Sequence, residues 1–474
     1  MEESKDTLAY KFASFVSGLN YDHVPKEVIE ASKTYIMDWF GCALGGLEES
    51  STQSILKVAR ELNGRADATV LGSGDKMEPT LAAMVNGTMS HAIEMDDDHR
   101  TMCGHPGVAV IPAALAISEK LGLNARQFIE AVIAGYEMII RSGTCFLGRA
   151  YFDGWHPTST CGVFGAAASA AKALGLTAEQ TATAFGLAGS MSGGTLEYHF
   201  KGSFAKRFHP GNAARNGILA ALMARDGFTG PWSIFEGDWG WLKTHCEKVA
   251  ELDRNNKPVV KNVYDASLLC DELGHRYDLL TNSFKVHCGG RFGATSIDAA
   301  LEIVKKHNLK PEQVKEIKVG ACEFTTRIHF SEGCHRPQNM VAAQFSLPLA
   351  MALVLLYRKV SIRHMRDGLY TRPEVIEIMD KVKNYVDPEA EAAYPQHYTA
   401  IVTMVLQDGT ALKASVDYPK GDPENRPTME ELYDKFRDLA GMALSKEKVD
   451  RLLESLIHVE KIDKIGALTA LAVM

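Results

Sequence analysis

Residues 162–175 read Gly-Val-Phe-Gly-Ala-Ala-Ala-Ser-Ala-Ala-Lys-Ala-Leu-Gly, and residues 211–227 read Gly-Asn-Ala-Ala-Arg-Asn-Gly-Ile-Leu-Ala-Ala-Leu-Met-Ala-Arg-Asp-Gly. Both stretches place Gly or Ala at positions i, i+3, i+4 and i+7, which lie on one face of an α-helix. Helices that carry no bulk on one face can approach each other closely. We therefore predict two tightly packed helices in the core of a helical protein.

Segments on both sides of this pair also have helical periodicity. Apolar residues recur at helical spacing over residues 7–18, 25–45, 80–94, 108–121 and 125–143, and again from residue 429 to the end. The pattern changes near Tyr277. Residues 284–287 and 317–319 resemble short strands separated by a helix over 294–307, and residues 401–416 form two extended runs joined at Asp408-Gly409, a strong hairpin signal.

This order of helical, mixed and again helical sequence predicts the fold class. We expect a mainly α protein with an inserted α/β domain, in which a large all-helical domain is formed by both chain ends and a smaller α+β domain forms a lid. The predicted boundaries are 1–272 and 420–474 for the helical domain and 273–419 for the lid.

Composition excludes several classes of protein. The 474 residues carry a formal net charge of -8, which does not indicate a nucleic-acid surface. Nine cysteines without a C-x-x-C pair argue against a disulfide framework or a zinc ribbon. The N-terminus lacks the features of a secretory signal, and the most apolar run, residues 341–357, is broken by polar residues and a proline, so that we interpret it as a buried helix. We expect a cytoplasmic protein without a membrane partner.

The densest group of ionisable residues lies in residues 91–106, His-Ala-Ile-Glu-Met-Asp-Asp-Asp-His-Arg-Thr-Met-Cys-Gly-His-Pro. Carboxylates and imidazoles at this density can bind a metal ion, although the spacing matches neither H-E-x-x-H nor a calcium loop. A second interpretation is an acidic helix end with a solvated face. The third, which we favour, is a metal-free acid–base site.

Three further motifs carry residues that suit such a site. His156 and Pro157 precede the first small-residue helix, where a neutral imidazole could meet an anionic substrate, although a single His-Pro is more often turn chemistry. Lys206, Arg207 and His209 precede the second helix, where they invite a carboxylate or phosphate unless they form a solvated face. Lys285 is predicted to lie in the strand over residues 284–287, which is a weak signal alone.

Taken together, these motifs resemble the MmgE/PrpD family. The matching residues are the acidic stretch ending in Gly-His-Pro-Gly, the His-Pro-Thr-Ser-Thr before Gly-x-Phe-Gly-Ala-Ala, Lys-Arg-x-His-x-Gly-Asn-Ala-Ala, and Ala-Gln-Phe-Ser-Leu-Pro at 343–348. The family includes 2-methylcitrate dehydratase, cis-aconitate decarboxylase and iminodisuccinate epimerase. The resemblance implies a helical domain with an inserted lid, a homodimer, and catalysis without a cofactor or a metal.

The resemblance also implies the site residues. It suggests Asp97 beside His105, with His156, Lys206 and Lys285, as the catalytic groups. Substrate-binding roles are implied for Arg207, His209, His99, Asp96 and Glu94. The chain departs from some members in carrying Asp98 at a position where they have a neutral residue, in having the single Cys288 after the lid lysine, and in lacking a clear counterpart of the lid tyrosine of the decarboxylases.

From these residues we predict a lyase, either a dehydratase or a decarboxylase, that acts on a small di- or tricarboxylate. Lys206, Lys285 and Arg207 would hold carboxylates, His156 and His105 would transfer protons, and Asp97 would orient and charge one imidazole. Two alternatives remain. An epimerase or racemase would place His105 and His156 on opposite sides of one carbon, and a non-catalytic carboxylate-binding protein would keep the pocket without turnover.

Overall fold

The computed structural model describes residues 3–198, 202–246, 248–252, 258–261, 264–394 and 396–474, with the backbone alone for 248–252 and 258–261. Its described helices, labelled α1 to α23 in chain order, are Leu8–Gly18, Lys26–Gly45, Ser50–Leu62, Pro79–Ser90, Gly107–Leu121, Ala125–Thr144, Arg149–Phe152, Pro157–Thr160, Gly162–Leu174, Ala178–Gly189, Ala205–Arg225, Trp241–Cys246, Ala294–His307, Glu323–His329, Glu332–His335, Met340–Gln344, Leu347–Tyr357, Ile362–Arg366, Pro373–Met379, Pro388–Ala393, Met429–Ala440, Lys446–Ile457 and Ile465–Leu471. The described strands, β1 to β8, are Ala68–Thr69, Lys76–Met77, Lys248–Leu252, Pro258–Lys261, Val314–Ala321, Val382–Val386, Ala400–Leu406 and Ala411–Val416.

The two small-residue helices pack against each other, as predicted. Helix α9 contacts α5, α6, α10 and α11. A Cβ atom added to Gly217 of α11 would lie 2.5 Å from the Cβ of Ala166 in α9, and one added to Gly165 would lie 2.8 Å from the Cβ of Ile139 in α6. Because atoms cannot approach that closely, the bare faces of these helices are required for the packing. They form a rigid base behind the candidate site.

The C-terminal helices return to the N-terminal part of the chain. Helices α21 and α22 contact α2, and α23 contacts α5. The last residue joins the same region, since the backbone N–H of Met474 donates to the carbonyl of Gly72 at 2.9 Å. The mainly α fold with a smaller α/β region is therefore confirmed. Two short antiparallel ribbons, β1–β2 and β3–β4, also occur within the mostly helical part.

The α/β region contains a four-stranded sheet with the strand order β6-β5-β7-β8. Strands β5 and β6 are parallel, and the other two pairs are antiparallel. The predicted strand at 317–319 lies inside β5, and the predicted hairpin joins β7 to β8. Leu406 N–H donates to the Thr410 carbonyl at 2.8 Å, and Gly409 has a φ of 87°, a value that glycine adopts readily.

Two hydrophobic clusters meet near the acidic stretch. The first is formed by residues between 9 and 284 and between 432 and 472. The second is formed mainly by residues between 288 and 414, but Ala92, Ile93 and Met95 of the acidic stretch also belong to it. The acidic stretch therefore lies where the helical and α/β parts touch. The boundaries at 272 and 420 stay a prediction.

The strand predicted over 284–287 is wrong. This segment is extended, but its neighbours differ from residue to residue: Ser283 exchanges backbone hydrogen bonds with Asp98, whereas Phe284 N–H donates to the Gly421 carbonyl at 3.0 Å. A strand needs one partner along its length, and this segment has none of that kind among the described residues. Lys285 therefore lies on a connecting segment that is fixed from two sides.

Residues 341–357 form two buried helices instead of one. Helix α16 ends at Gln344, and α17 begins at Leu347 with Pro348 in its first turn, where a missing N–H costs no helical hydrogen bond. Within the described parts of the chain, none of the helices combines the length and the apolar character that a bilayer crossing requires.

Candidate active site

The acidic stretch connects α4 to α5 as a buried loop. Helix α4 ends at Ser90 and not at Glu94 as predicted, and Glu94 has a φ of 54°. This left-handed conformation costs a non-glycine residue about 1–3 kcal/mol. Glu94 and Asp96 are only 2% and 1% exposed, respectively. The interpretation of this stretch as a solvated acidic helix end is therefore wrong.

Glu94 is held between two lysines. Lys206 Nζ contacts one carboxylate oxygen, and Lys285 Nζ contacts the other at 3.1 Å. Burial alone would raise the pKa of Glu94, but the two ammonium groups outweigh burial and hold this pKa below its usual range. Because two ammonium groups share one carboxylate, the three side chains together keep one positive charge in excess, which can attract an anionic ligand.

Helix α11 delivers Lys206 from its first turn. The helix begins at Ala205, and not at Gly211, so the prediction that Lys206, Arg207 and His209 precede it is wrong. Pro210 is accommodated inside the helix, where its lack of an N–H leaves the Lys206 carbonyl without an i+4 donor. The ammonium group of Lys206 thus adds to the positive end of the helix dipole.

His105 is fixed as a neutral base by two acceptors. Its Nδ1 lies 2.8 Å from the backbone carbonyl of Asp97 and 3.2 Å from Asp96 Oδ2. Burial would raise the pKa of Asp96, but the neighbouring histidines and Lys285 hold it well below its usual range, so this carboxylate is ionised and can only accept. Nδ1 of His105 therefore carries the proton. Burial first, and then Lys285, hold the His105 pKa well below 6.5, which leaves Nε2 unprotonated.

The carboxylate of Asp97 does not orient an imidazole, contrary to our prediction. It accepts hydrogen bonds from Tyr136 Oη at 2.7 Å, Asn282 Nδ2 at 2.6 Å and Gly107 N–H at 3.0 Å. Burial raises its pKa to about 7 despite these donors. The predicted role belongs instead to the neighbouring Asp96, and Asp97 reaches His105 only through its backbone carbonyl.

His156 lies on the same cavity and is hydrogen-bonded to a second histidine. Its Nδ1 is 2.9 Å from Nδ1 of His209, and its ring stacks on that of His91 at a centroid distance of 5.9 Å. His91 donates from Nδ1 to Asp96 Oδ2 at 2.8 Å, and its Nε2 is buried without a partner among the described residues. Burial is the main cause that lowers the pKa of both His91 and His156. The sequence analysis considered His91 only as part of a possible metal site in the acidic stretch and gave it no place in the acid–base site.

Two of the predicted substrate-binding residues, Arg207 and His99, use their side chains to bind other protein groups. Arg207 is bound to Glu49, Ser51 and Gln344 and lies outside the described cavity wall. His99 lines the cavity, but its Nδ1 accepts from Met102 N–H and its Nε2 contacts Thr281 Oγ1 at 2.8 Å. With both nitrogens engaged and its pKa lowered to about 4 by burial, His99 serves as a structural residue.

Several of these groups line a cavity of about 40 Å³. Among the described residues, six charged side chains line the cavity. Four are cations, Arg100, Lys206, Lys285 and Arg291, and two are acids, Glu94 and Asp98. Its uncharged wall includes His105, His156, Tyr151, Tyr198, Tyr398 and Cys103. Asp422 and Glu424 pair with Arg100 and Arg291 from outside this wall, so the unshared positive charge lies with Lys206 and Lys285, where it suits a carboxylate ligand. The cavity must widen to admit such a ligand, because ligand pockets usually measure about 300–1,000 Å³.

Arg291 is a wall residue that the sequence reasoning did not identify. Its guanidinium is paired with Asp422 and, at 3.1 Å from Nε, with Asp98 Oδ2. Burial raises the Asp98 pKa to about 6 although Arg291 and Lys285 act against it, and Asp98 Oδ1 is buried without a described partner. The Gly-Gly-Arg sequence after Lys285 was the available signal. The position of the Arg291 guanidinium depends on Asp422, which lies far away in the sequence.

A neighbouring cavity of about 550 Å³ provides a route to the site. It shares Arg100, Cys103 and Tyr398 with the wall of the smaller cavity. Tyr398 Oη donates to the Arg100 carbonyl at 3.2 Å, which fixes the ring between the two spaces. These shared side chains separate the two cavities.

One described group has the residue types of a metal site. The ligand atoms of His91, Asp96 and His105 lie within 4.8 Å of one another. Both imidazoles, however, turn a protonated Nδ1 toward Asp96, and Lys285 contributes a positive charge at the same carboxylate. A cation would have to displace these protons and would meet that charge. The donor set therefore fits hydrogen bonding better than metal coordination.

The chain was also compared with known proteins. Residues 10–252 match the MmgE/PrpD N-terminal domain, and residues 287–459 match the MmgE/PrpD C-terminal domain. Cis-aconitate decarboxylase of Aspergillus terreus is 25% identical over 99% of this chain and 96% of its own length. The Mus musculus enzyme of the same name is 26% identical over 97% of this chain and 92% of its own length. The predicted resemblance is confirmed, and the chain belongs to the MmgE/PrpD family.

Proposed function

We propose that this protein is a cofactor-independent lyase that removes carbon dioxide from a small unsaturated tricarboxylate of the cis-aconitate type. The observation that carries the proposal is a cavity whose wall holds four cations and two acids beside two neutral histidines. The relatives named above are cis-aconitate decarboxylases, and the same kind of substrate would satisfy these cations.

The chemistry follows from the charges. Lys206, Lys285 and Arg291 would bind the carboxylates that remain in the product. When the bond to the departing carboxylate breaks, its electron pair passes into the unsaturated carbon skeleton, where the nearby cations stabilise it, a term worth about 2.7–4 kcal/mol per donor in other enzymes. A proton from an imidazole then completes the product.

The test uses the full chain and a panel of hydroxy-, unsaturated and imino-polycarboxylates in deuterated water, followed by proton NMR. We expect cis-aconitate to lose carbon dioxide and to gain one deuteron at carbon. His156→Ala, Lys206→Met and Lys285→Met should each lower kcat/KM by at least about 10²-fold. As a control, Lys33→Met removes a buried lysine that pairs with Glu30 and Glu460 outside the described cavity wall and should leave kcat unchanged.

Other outcomes would replace this proposal. Water loss from a hydroxy acid would make the protein a dehydratase. Two histidines on one cavity also suit an epimerase, which would exchange the Cα proton for deuterium without elimination. Stabilisation by an acid without any turnover would indicate a binding protein. The homodimer and the cytoplasmic location stay predictions, and light scattering of the purified protein tests the first.

A further inference from the structure

His156 has a second histidine directly behind it. The two Nδ1 atoms lie 2.9 Å apart, which is a hydrogen-bond distance, and one proton must therefore lie between them. His156 is 2% exposed and lines the cavity. His209 lies on α11 outside the described cavity wall and is only partly buried. The pair therefore joins a buried residue of the cavity wall to a residue that is partly exposed.

Both rings are held neutral. Burial lowers the pKa of His209 to about 4 and that of His156 well below 6.5. The titratable groups that face the pair are His91, His105, Lys206 and Tyr198. A neutral imidazole that loses its only N–H would become an anion, which a buried site disfavours strongly. Neutral His156 can therefore donate from Nε2 only if its Nδ1 receives a proton at the same time.

We propose that His209 and His156 form a proton relay from solvent to the carbon skeleton of the substrate. This inference rests on the proposed function, because each decarboxylation takes up one proton per molecule of carbon dioxide released. Dehydration and epimerisation need no net proton. His209, which the sequence suggested as a substrate-binding residue, is in this account a positioning and relay residue that acts through His156.

The steps balance. At the start His209 carries its proton on Nδ1 and His156 carries its proton on Nε2. Carbon dioxide leaves, the electron pair left on the substrate takes the Nε2 proton of His156, His156 Nδ1 takes the Nδ1 proton of His209, and His209 Nε2 takes a proton from water. When the product leaves, water protonates His156 Nε2, the Nδ1 proton returns to His209, and His209 Nε2 releases its proton. One solvent proton is consumed in each turnover.

The decisive variant is His209→Asn. The asparagine amide can still donate a hydrogen bond to His156 Nδ1, which keeps His156 in the same tautomer. The amide cannot, however, give up its proton. With cis-aconitate as substrate, we expect kcat to fall at least about 10²-fold while KM changes less than about twofold. The matched control is His364→Asn, since His364 is also partly buried with a pKa lowered by burial, but it stacks on Tyr357 away from the cavity. This control should keep wild-type kcat.

A rescue experiment distinguishes a proton relay through His209 from a role in which His209 only holds His156 in place. His209→Gly should regain kcat in proportion to added imidazole, whereas the same imidazole should leave the wild-type rate unchanged. A wild-type enzyme that decarboxylates cis-aconitate while His209→Asn keeps kcat within about threefold would overturn the relay and leave the proposed function standing.

The tautomers provide a test that needs no turnover. In ¹⁵N-histidine-labelled protein we expect one Nδ1–H shared between His156 and His209, with His156 protonated at Nε2 in the free enzyme. If no acid of the panel is decarboxylated, the proposed function fails. The spectrum still shows whether His156 and His209 have the tautomers that the relay requires. A His156 ring protonated at Nδ1 and bare at Nε2 would overturn it.

Discussion

The two sides of the cavity respond to burial in opposite ways. Glu94 stays ionised between Lys206 and Lys285, whereas His105 and His156, which are also buried, stay neutral. The difference lies in the partners. Glu94 meets two cations, whereas the imidazoles meet one shared carboxylate, a backbone carbonyl or another imidazole. Burial therefore removes charge only where pairing does not compensate for it.

This contrast assigns different tasks to the two walls. Fixed charges on the lysine side suit the binding of carboxylates, because they need no reorganisation when a substrate arrives. Neutral imidazoles with defined tautomers suit proton transfer. The contrast is sharpest between the adjacent residues Asp96 and Asp97, since the pKa of Asp96 is held far below its usual range while that of Asp97 is raised to about 7.

The largest effect is expected when the imidazole side loses its carboxylate. In Asp96→Asn a neutral amide replaces the ionised acceptor of both His91 and His105, so that only the Asp97 carbonyl still holds the His105 proton on Nδ1. We expect kcat to fall by about 10⁴-fold, as for the loss of an orienting carboxylate in serine proteases, with little change in KM. Steady-state kinetics with cis-aconitate measures both constants.

The control for this variant is Glu119→Gln, which removes a carboxylate that is 5% exposed and pairs with Lys76 outside the described cavity wall. It should lower thermal stability and leave kcat near the wild-type value. If Asp96→Asn behaved in the same way, Asp96 would be a structural residue, and the contrast with Asp97 would have no catalytic meaning.

A smaller effect should appear in the pH dependence of substrate binding. Burial raises the Asp98 pKa to about 6, so this wall residue is neutral below pH 6 and becomes an anion above it. Because an anionic Asp98 repels a polycarboxylate, KM of the wild type should rise above pH 6 by up to about tenfold per pH unit. Asp98→Asn should remove that rise. An unchanged pH profile of KM in this variant would show that another group controls binding.

The smallest effect concerns stability. Because burial raises the Asp97 pKa to about 7 in the folded protein, the folded state binds this proton more tightly than the unfolded chain does. The free energy of unfolding should therefore fall as pH rises from about 4 to about 7, with a slope of up to about 1.4 kcal/mol per pH unit from this residue. Urea unfolding at several pH values should show a flatter dependence in Asp97→Asn. The same change at the exposed Asp434 should leave the slope unaltered.

The helices and the hairpin were predictable because their signals are local. Small residues at helical spacing identified α9 and most of α11, and Asp408-Gly409 identified the turn between β7 and β8. Local signals failed where tertiary contacts override them. Helix α11 continues through Pro210, and residues 284–287 are held by two different segments rather than by a sheet.

The candidate site was predictable as a set of residues but not in its pairing. The sequence indicated that the acidic stretch, His156 and both lysines belong together, and the structure gathers them around one cavity. The sequence could not distinguish Asp96 from Asp97, because the backbone of an irregular buried loop decides which of two adjacent carboxylates faces the histidines. Arg291 was missed, and His91 was given no place in the acid–base site, because their roles depend on Asp422 and on ring stacking, respectively.

The most direct test of this account is a ¹⁵N NMR titration of the histidines in the free enzyme between pH 5 and pH 8. We expect His105 and His156 to remain neutral throughout, with the His105 proton on Nδ1. If His105 or His156 gained a second proton near pH 6.5 or above, or if His105 carried its proton on Nε2, the contrast between a charged wall and a neutral wall would be contradicted.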